Sequence, residues 1–204
     1  MSVLVVGFSH KSAPVVTLER AAVSTDALAK LLVDLVRAEP VAETFVISTC
    51  NRLEVYADVD RFHAGVTAIC ELIARHCGIP AQELTPHLYI HYEDRAVRHL
   101  VAVACGLDSL VVGEEQIVGQ VRSGIRMAAK QGAVGRVLGD LGRLALRAAK
   151  RARTETGIGR TGVSLLSLAI EAAAPSLPAP PWPAPLPVSR AWRAGMCRSS
   201  ARAQ

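Results

Sequence analysis

The stretch ETFVISTCNRLEVYADV, residues 43–59, decides the fold. Glu43 to Thr49 is rich in strand formers, and Arg52 to Val59 alternates polar with apolar residues. The two runs therefore predict two strands, connected at Cys50 and Asn51. Upstream, Val3 to Ser9 (VLVVGFS) predicts a short buried strand closed by a His10–Pro14 turn. Thr25 to Arg37 carries Leu28, Leu31, Leu32, Leu35 and Val36 at helical spacing, with Ser24 or Thr25 placed to cap it. Downstream, Ala64 to Cys77 predicts a helix stopped by Gly78 and Pro80, Leu88 to Tyr92 a strand, and Arg95 to Ala104 a second helix. The order is β-α-β-β-α-β. It predicts an α+β protein built as a ferredoxin-like sandwich, the split βαβ arrangement. Three further helices are expected, near Glu115–Gln131, Gly135–Glu155 and Val163–Ala174.

Half of the 204 residues are hydrophobic and a fifth are charged, as in globular rather than disordered chains. No run reaches the 18 or so apolar residues of a membrane span, and the start lacks a secretory signal. A cytoplasmic protein with no membrane partner is expected. The net charge of +5 is uneven: all 18 acids precede Pro175, whereas Arg190, Arg193, Arg198 and Arg202 follow it unopposed. The basic balance thus says little about nucleic acid binding by the body of the chain. The five cysteines (Cys50, Cys70, Cys77, Cys105 and Cys197) show no C-x-x-C spacing, and His63, His76, His87 and His91 form no ligand pair. Neither a metal site nor a disulfide framework is suggested.

Four constellations could carry chemistry. In Ser48-Thr49-Cys50-Asn51-Arg52-Leu53-Glu54, Arg52 and the polar neighbours favour the nucleophilic thiolate of Cys50. The forked guanidinium of Arg52 suits a carboxylate, and Glu54 on the same strand face could accept from an ammonium. Thiolate, carboxylate clamp and ammonium acceptor suggest acyl transfer from an amino acid. A buried turn cysteine beside a surface ion pair is the commoner outcome of such spacing. The second run, His99 to Arg122, opens from an apolar segment onto Asp108 and Ser109. It then starts a helix with Glu114, Glu115 and Gln116, whose Gln116 and Gln120 share a face. Such a face could read a polar ligand or could simply be solvated. The third, Gly157-Ile-Gly-Arg-Thr-Gly162, matches G-x-G-x-x-G, but a basic helix precedes it and no acid occurs beyond Glu171. It reads as a turn, not a nucleotide site. The fourth is a basic helical face of Arg136, Arg143, Arg147 and Lys150, suited to phosphates or to solvent.

Taken together, Gly7-Phe-Ser-His-Lys-Ser-Ala-Pro14, Ser48-Thr-Cys-Asn-Arg52 with Glu54-Val-Tyr56, and the run His99–Arg122 resemble the glutamyl-tRNA reductase family. The resemblance implies that Cys50 attacks the ester of glutamyl-tRNA to give a thioester, and that His99 joins it as a catalytic residue. It implies that Thr49, Asn51 and Arg52 line a glutamyl pocket, with Ser109, Glu114, Glu115, Gln116 and Gln120 forming a second substrate-binding segment. It also implies NADPH as the hydride source for reduction to glutamate-1-semialdehyde in tetrapyrrole synthesis. A homodimer, and contact with glutamate-1-semialdehyde aminomutase, are implied as partners.

The resemblance divides the chain into a catalytic domain over 1–156 and the start of a connecting helix over 157–174. A Pro/Ala/Arg-rich tail over 175–204 is expected to be disordered or out of frame, holding seven of the eleven prolines and no acid. No NADPH-binding or dimerisation domain is recognisable in the sequence. The expected activity is the acyl-transfer half-reaction, and the alternative is a non-catalytic tRNA-binding remnant.

Overall fold

The computed structural model describes residues 2–158. The chain divides into two units, Met1–Leu165 and Leu166–Gln204, and every described residue belongs to the first. The helix expected over 163–174 and the tail over 175–204 lie outside the described residues. Four strands, β1 (Ser2–Ser9), β2 (Val41–Thr49), β3 (Arg52–Val59) and β4 (Tyr89–Tyr92), form one sheet in the order β2-β3-β1-β4. Every neighbouring pair is antiparallel. The protein is α+β, with helices α1 (Val15–Arg20), α2 (Thr25–Arg37), α3 (Phe62–Cys77), α4 (Ala81–Leu84), α5 (Asp94–Ala104), α6 (Gln116–Lys130) and α7 (Arg136–Glu155). No helix among the described residues is long and apolar enough to cross a membrane.

Local chemistry sets most boundaries. Ser24 caps α2 by accepting from the Ala27 N–H at 3.2 Å, as the sequence suggested. Gly78 ends α3 in the left-handed conformation (φ 63°), which carries no Cβ penalty for glycine. Two elements were not foreseen. The six-residue α1 is too short for a periodic signal, and α4 begins directly after Pro80 and runs into a 3₁₀ turn (Thr85–His87) that contains Pro86.

The larger surprise is β3. Its alternating pattern predicts one dry and one wet face, yet all eight residues are buried. One face carries Leu53, Val55, Ala57 and Val59 and packs against α3, with α2 lying on the neighbouring β2; Gly65 of α3 sits directly on Val59. The other carries Arg52, Glu54, Tyr56 and Asp58 and is roofed by α5 and α7. A polar stripe is therefore sealed inside the molecule, where each charge needs a partner. Two features make the roof fit. Gly124 lets α6 approach β2 so closely that a Cβ there would lie 2.3 Å from the Val46 carbonyl oxygen. Glu43 of β2 accepts from the Val137 and Leu138 N–H groups at 3.1 and 2.7 Å, satisfying two open donors at the start of α7.

Candidate active site

The β2–β3 connection is a two-residue turn, since Thr49 pairs with Arg52 across the hairpin. It leaves Cys50 exposed at its tip. Thr49 Oγ1 accepts from the Asn51 N–H at 3.1 Å, and the Asn51 carbonyl accepts from the His10 N–H at 2.9 Å. The turn is thereby fixed from within and from the β1–α1 connection. Opposite it stands the loop between α5 and α6. Gly106 and Gly113, both at positive φ (76° and 84°), close this loop through an N–H···O bond of 2.9 Å between them. Arg153 of α7 donates to the Glu114 carbonyl at 2.8 Å and holds the loop from behind.

Between turn and loop lies a narrow cleft lined by Thr49, Cys50, Asn51, Arg52, Ser109, Leu110, Glu114, Ile117 and Gln120. Within it there is about 10 Å³ of free space, room for about one water molecule. The Ser109 hydroxyl is buried at the cleft and has no hydrogen-bond partner among the described residues. A buried hydroxyl left open is costly unless something else fills the valence.

Arg52 is 2% exposed and closely held. Its Nη1 donates to Glu54 Oε1 at 2.8 Å; its Nη2 donates to the Asp108 carbonyl and to Asp108 Oδ2, the latter at 3.1 Å. Asp108 is also bonded by Lys11 Nζ. Of the five N–H protons of a guanidinium, those on Nε and one on Nη1 have no partner among the described residues. Burial acts to raise the Asp108 carboxyl, but the hydrogen bonds and charges of Lys11 and Arg52 hold it below the usual range. Burial and the Arg52 charge keep His10 below the ordinary imidazole value.

Glu54 lies behind Arg52, fully buried, and accepts from four side chains. Oε1 takes Arg52 Nη1, His99 Nε2 at 2.8 Å and the Tyr89 hydroxyl; Oε2 takes the Tyr56 hydroxyl at 2.7 Å. Burial alone would raise this carboxyl. The His99 hydrogen bond and the positive charge of Arg52 prevail and pull it down to about 2. The two tyrosine hydroxyls move the opposite way, well above their usual value, through burial and the Glu54 charge. Room for the Glu54 side chain comes from Gly7 opposite it on β1, where a Cβ would lie 2.9 Å from Glu54 Cγ.

The structure thus gathers Thr49, Cys50, Asn51, Arg52, Ser109, Glu114 and Gln120 in one cleft. Glu115 and Gln116 stand outside its lining and face solvent at the start of α6. His99 is also outside the lining, in contact with Glu54. Glu54, which the sequence suggested as an ammonium acceptor, already holds four donors. The pair it forms with Arg52 is buried, not at the surface. Sequence reasoning missed Lys11, Tyr56, Tyr89 and His91. Alternation on β4 was the available signal, since it places Tyr89 and His91 on one face. Of the basic face on α7, Arg136 and Arg143 pair with Asp140, while Arg147 and Lys150 are exposed.

Residues 6–156 match the family model described as the N-terminal domain of glutamyl-tRNA(Glu) reductase. The chain belongs to that family. It is 58% identical over 171 residues to a glutamyl-tRNA reductase of Streptomyces coelicolor, an alignment covering 84% of this chain and 29% of the relative. It is 56% identical over 173 residues to that of Thermobifida fusca, covering 85% and 36%. The solved structure of glutamyl-tRNA reductase from Methanopyrus kandleri superposes with a TM-score of 0.67 at 33% identity, covering 86% of this chain and 40% of that one. The chain spans about a third of the length of the curated glutamyl-tRNA reductases it matches.

Proposed function

We propose that this chain performs the acyl-transfer step of a glutamyl-tRNA reductase, with Cys50 as nucleophile. The observation that carries the reading is an exposed thiol at the mouth of a narrow polar cleft with a fixed guanidinium in its wall. The Cys50 thiolate sulfur attacks the ester carbonyl carbon of glutamyl-tRNA. A C–S bond forms, the C–O bond to the terminal ribose breaks, and the ribose oxygen leaves with a proton as the free tRNA hydroxyl. Arg52 offers its remaining N–H groups to the side-chain carboxylate of the glutamyl group, and the open Ser109 hydroxyl adds a hydrogen bond. Glu114 supplies the negative charge that suits the α-ammonium, with Thr49, Asn51 and Gln120 completing the polar wall.

In the family reaction, NADPH supplies the hydride that reduces such a thioester to glutamate-1-semialdehyde. The one G-x-G-x-x-G run starts directly after α7 with no strand before it, which does not fit a dinucleotide cradle. No reductive step is therefore assigned to residues 2–158. The strand order and antiparallel pairing support the ferredoxin-like reading of the fold, and a cytoplasmic setting accords with a charged-tRNA substrate. The reading is tested by protection. Glutamyl-tRNA, but not the uncharged tRNA, should slow alkylation of Cys50 while leaving Cys70 and Cys77 unaffected. Equal protection by both tRNAs would refute a glutamyl pocket at Cys50.

A further inference from the structure

The position of His99 separates it from the chemistry at Cys50. Its Nε2 is committed to Glu54 Oε1 at 2.8 Å, and its ring lies 4.5 Å from that of His91 and 5.4 Å, edge-on, from that of Tyr89. It does not line the cleft. An ionised Glu54 can only accept, so Nε2 carries the proton of this bond. The same Oε1 receives Arg52 Nη1, so the His99 contact fixes the oxygen that fixes the guanidinium. On its far side Arg52 is fixed by Asp108, which Lys11 holds in turn. One arginine in the cleft wall is thus braced by α5 through Glu54, by the α5–α6 loop, and by the β1–α1 turn.

Glu54, His99 and Asp108 can bring ligand atoms within 4.8 Å of one another, which raises the thought of a metal ion. The Arg52 guanidinium already bridges both carboxylates, so the cation of this cluster is the arginine itself.

We propose that His99 is a positioning residue that acts through Glu54 on Arg52, and that this chain of contacts sets the cleft's preference for an aminoacyl group ending in a carboxylate. The proposal rests on the acyl-transfer reading above and deepens it. A guanidinium held at both ends presents its free N–H groups at one fixed place, and a carboxylate meets full charge there. A neutral amide gains much less. If the Glu54 contact is loosened, Arg52 swings toward Asp108, and the glutamyl group loses its advantage over a glutaminyl group of the same shape.

The test uses the full chain and the variants His99→Gln, His99→Leu and Glu54→Gln. Single-turnover acylation of Cys50 is measured with the same tRNA charged with glutamate or with glutamine. Glutamine at 99 can place an amide N–H near the site of Nε2, whereas leucine cannot. His99→Leu should slow glutamyl transfer about 10-fold or more, the effect of one lost charge-assisted hydrogen bond, while glutaminyl transfer changes far less. His99→Gln should recover most of that loss, and Glu54→Gln should erode the same selectivity. In parallel, the Arg52 guanidinium protons, observed by ¹⁵N-arginine labelling and assigned with Arg52→Lys, should exchange slowly in the parent and rapidly in His99→Leu. Should that variant not melt cooperatively, Tyr89→Phe removes another Glu54 donor with the ring kept, and the same changes are expected in smaller measure.

Equal slowing of both aminoacyl groups, or His99→Gln as slow as His99→Leu, would overturn the proposal. Absence of acylation in the parent would refute the acyl-transfer reading. In that case the guanidinium signals still decide whether His99 holds Arg52, and unchanged exchange in His99→Leu overturns it.

Discussion

Gly7→Ala probes the fit between the sheet and the polar stripe most sharply. Gly7 sits on the central strand β1 directly opposite Glu54 of β3. A Cβ there would lie 2.5 Å from the Leu53 carbonyl oxygen, 2.8 Å from Glu54 Cα and 2.9 Å from Glu54 Cγ. Two of the three atoms are backbone, so no rotamer change relieves the contact and the two strands must part by several tenths of an ångström. Overpacking of this kind costs about 1–3 kcal/mol. For a chain of this size each kcal/mol lowers the melting temperature by roughly 2–4 °C, so a fall of about 2–12 °C is expected. The control is Gly119→Ala. Gly119 lies within α6 with nothing within 4 Å of an added Cβ, so alanine should stabilise by about 0.5–1 kcal/mol through helix propensity. The assay is a thermal melt followed by circular dichroism. A Gly7→Ala melt within 1 °C of the parent would refute the claimed close approach of β1 and β3. So would equal shifts in the two variants.

Further outcomes follow from charged groups at fixed places. Glu43→Ala removes the acceptor of two N–H groups at the start of α7 and should cost about 1–2 kcal/mol in urea unfolding, with Glu43→Gln losing less; no change would mean α7 is capped otherwise. Glu54 titrates near 2 when folded against 4.5 when free, a depressed value. Its contribution is fully present above pH 4.5 and is lost as pH falls toward 2, on the order of 3 kcal/mol in all and about 2 kcal/mol by pH 3. Urea midpoints from pH 6 to pH 3 should fall more steeply in the parent than in Glu54→Gln, and parallel slopes would show that Glu54 is not the linked group.

What the sequence disclosed and what it withheld divide along contact distance in the chain. β3 at Arg52–Val59 and α2 at Thr25–Arg37 were legible because pattern, cap and breaker all act within a few residues. The Cys50 turn was legible for the same reason. The burial of Arg52, Glu54 and Asp58 was not, because their alternation is that of a half-wet strand and the roof arrives from α5 and α7, far along the chain. The bracing of Arg52 was equally hidden: Lys11 and Asp108 are 97 positions apart, and Glu54 and His99 are 45 apart. The resemblance singled out His99 as important, and only the fold shows what it touches.

Transfer of the glutamyl group from its tRNA to Cys50 can be read by acid-quenched intact mass spectrometry. The chain is mixed with glutamyl-tRNA and no reductant, then quenched. A mass increase of one glutamyl group is expected, removed by hydroxylamine and absent from Cys50→Ser. A cooperatively folded chain that gains no mass, or gains it equally in Cys50→Ser, would show that Cys50 is not the acceptor of the glutamyl group.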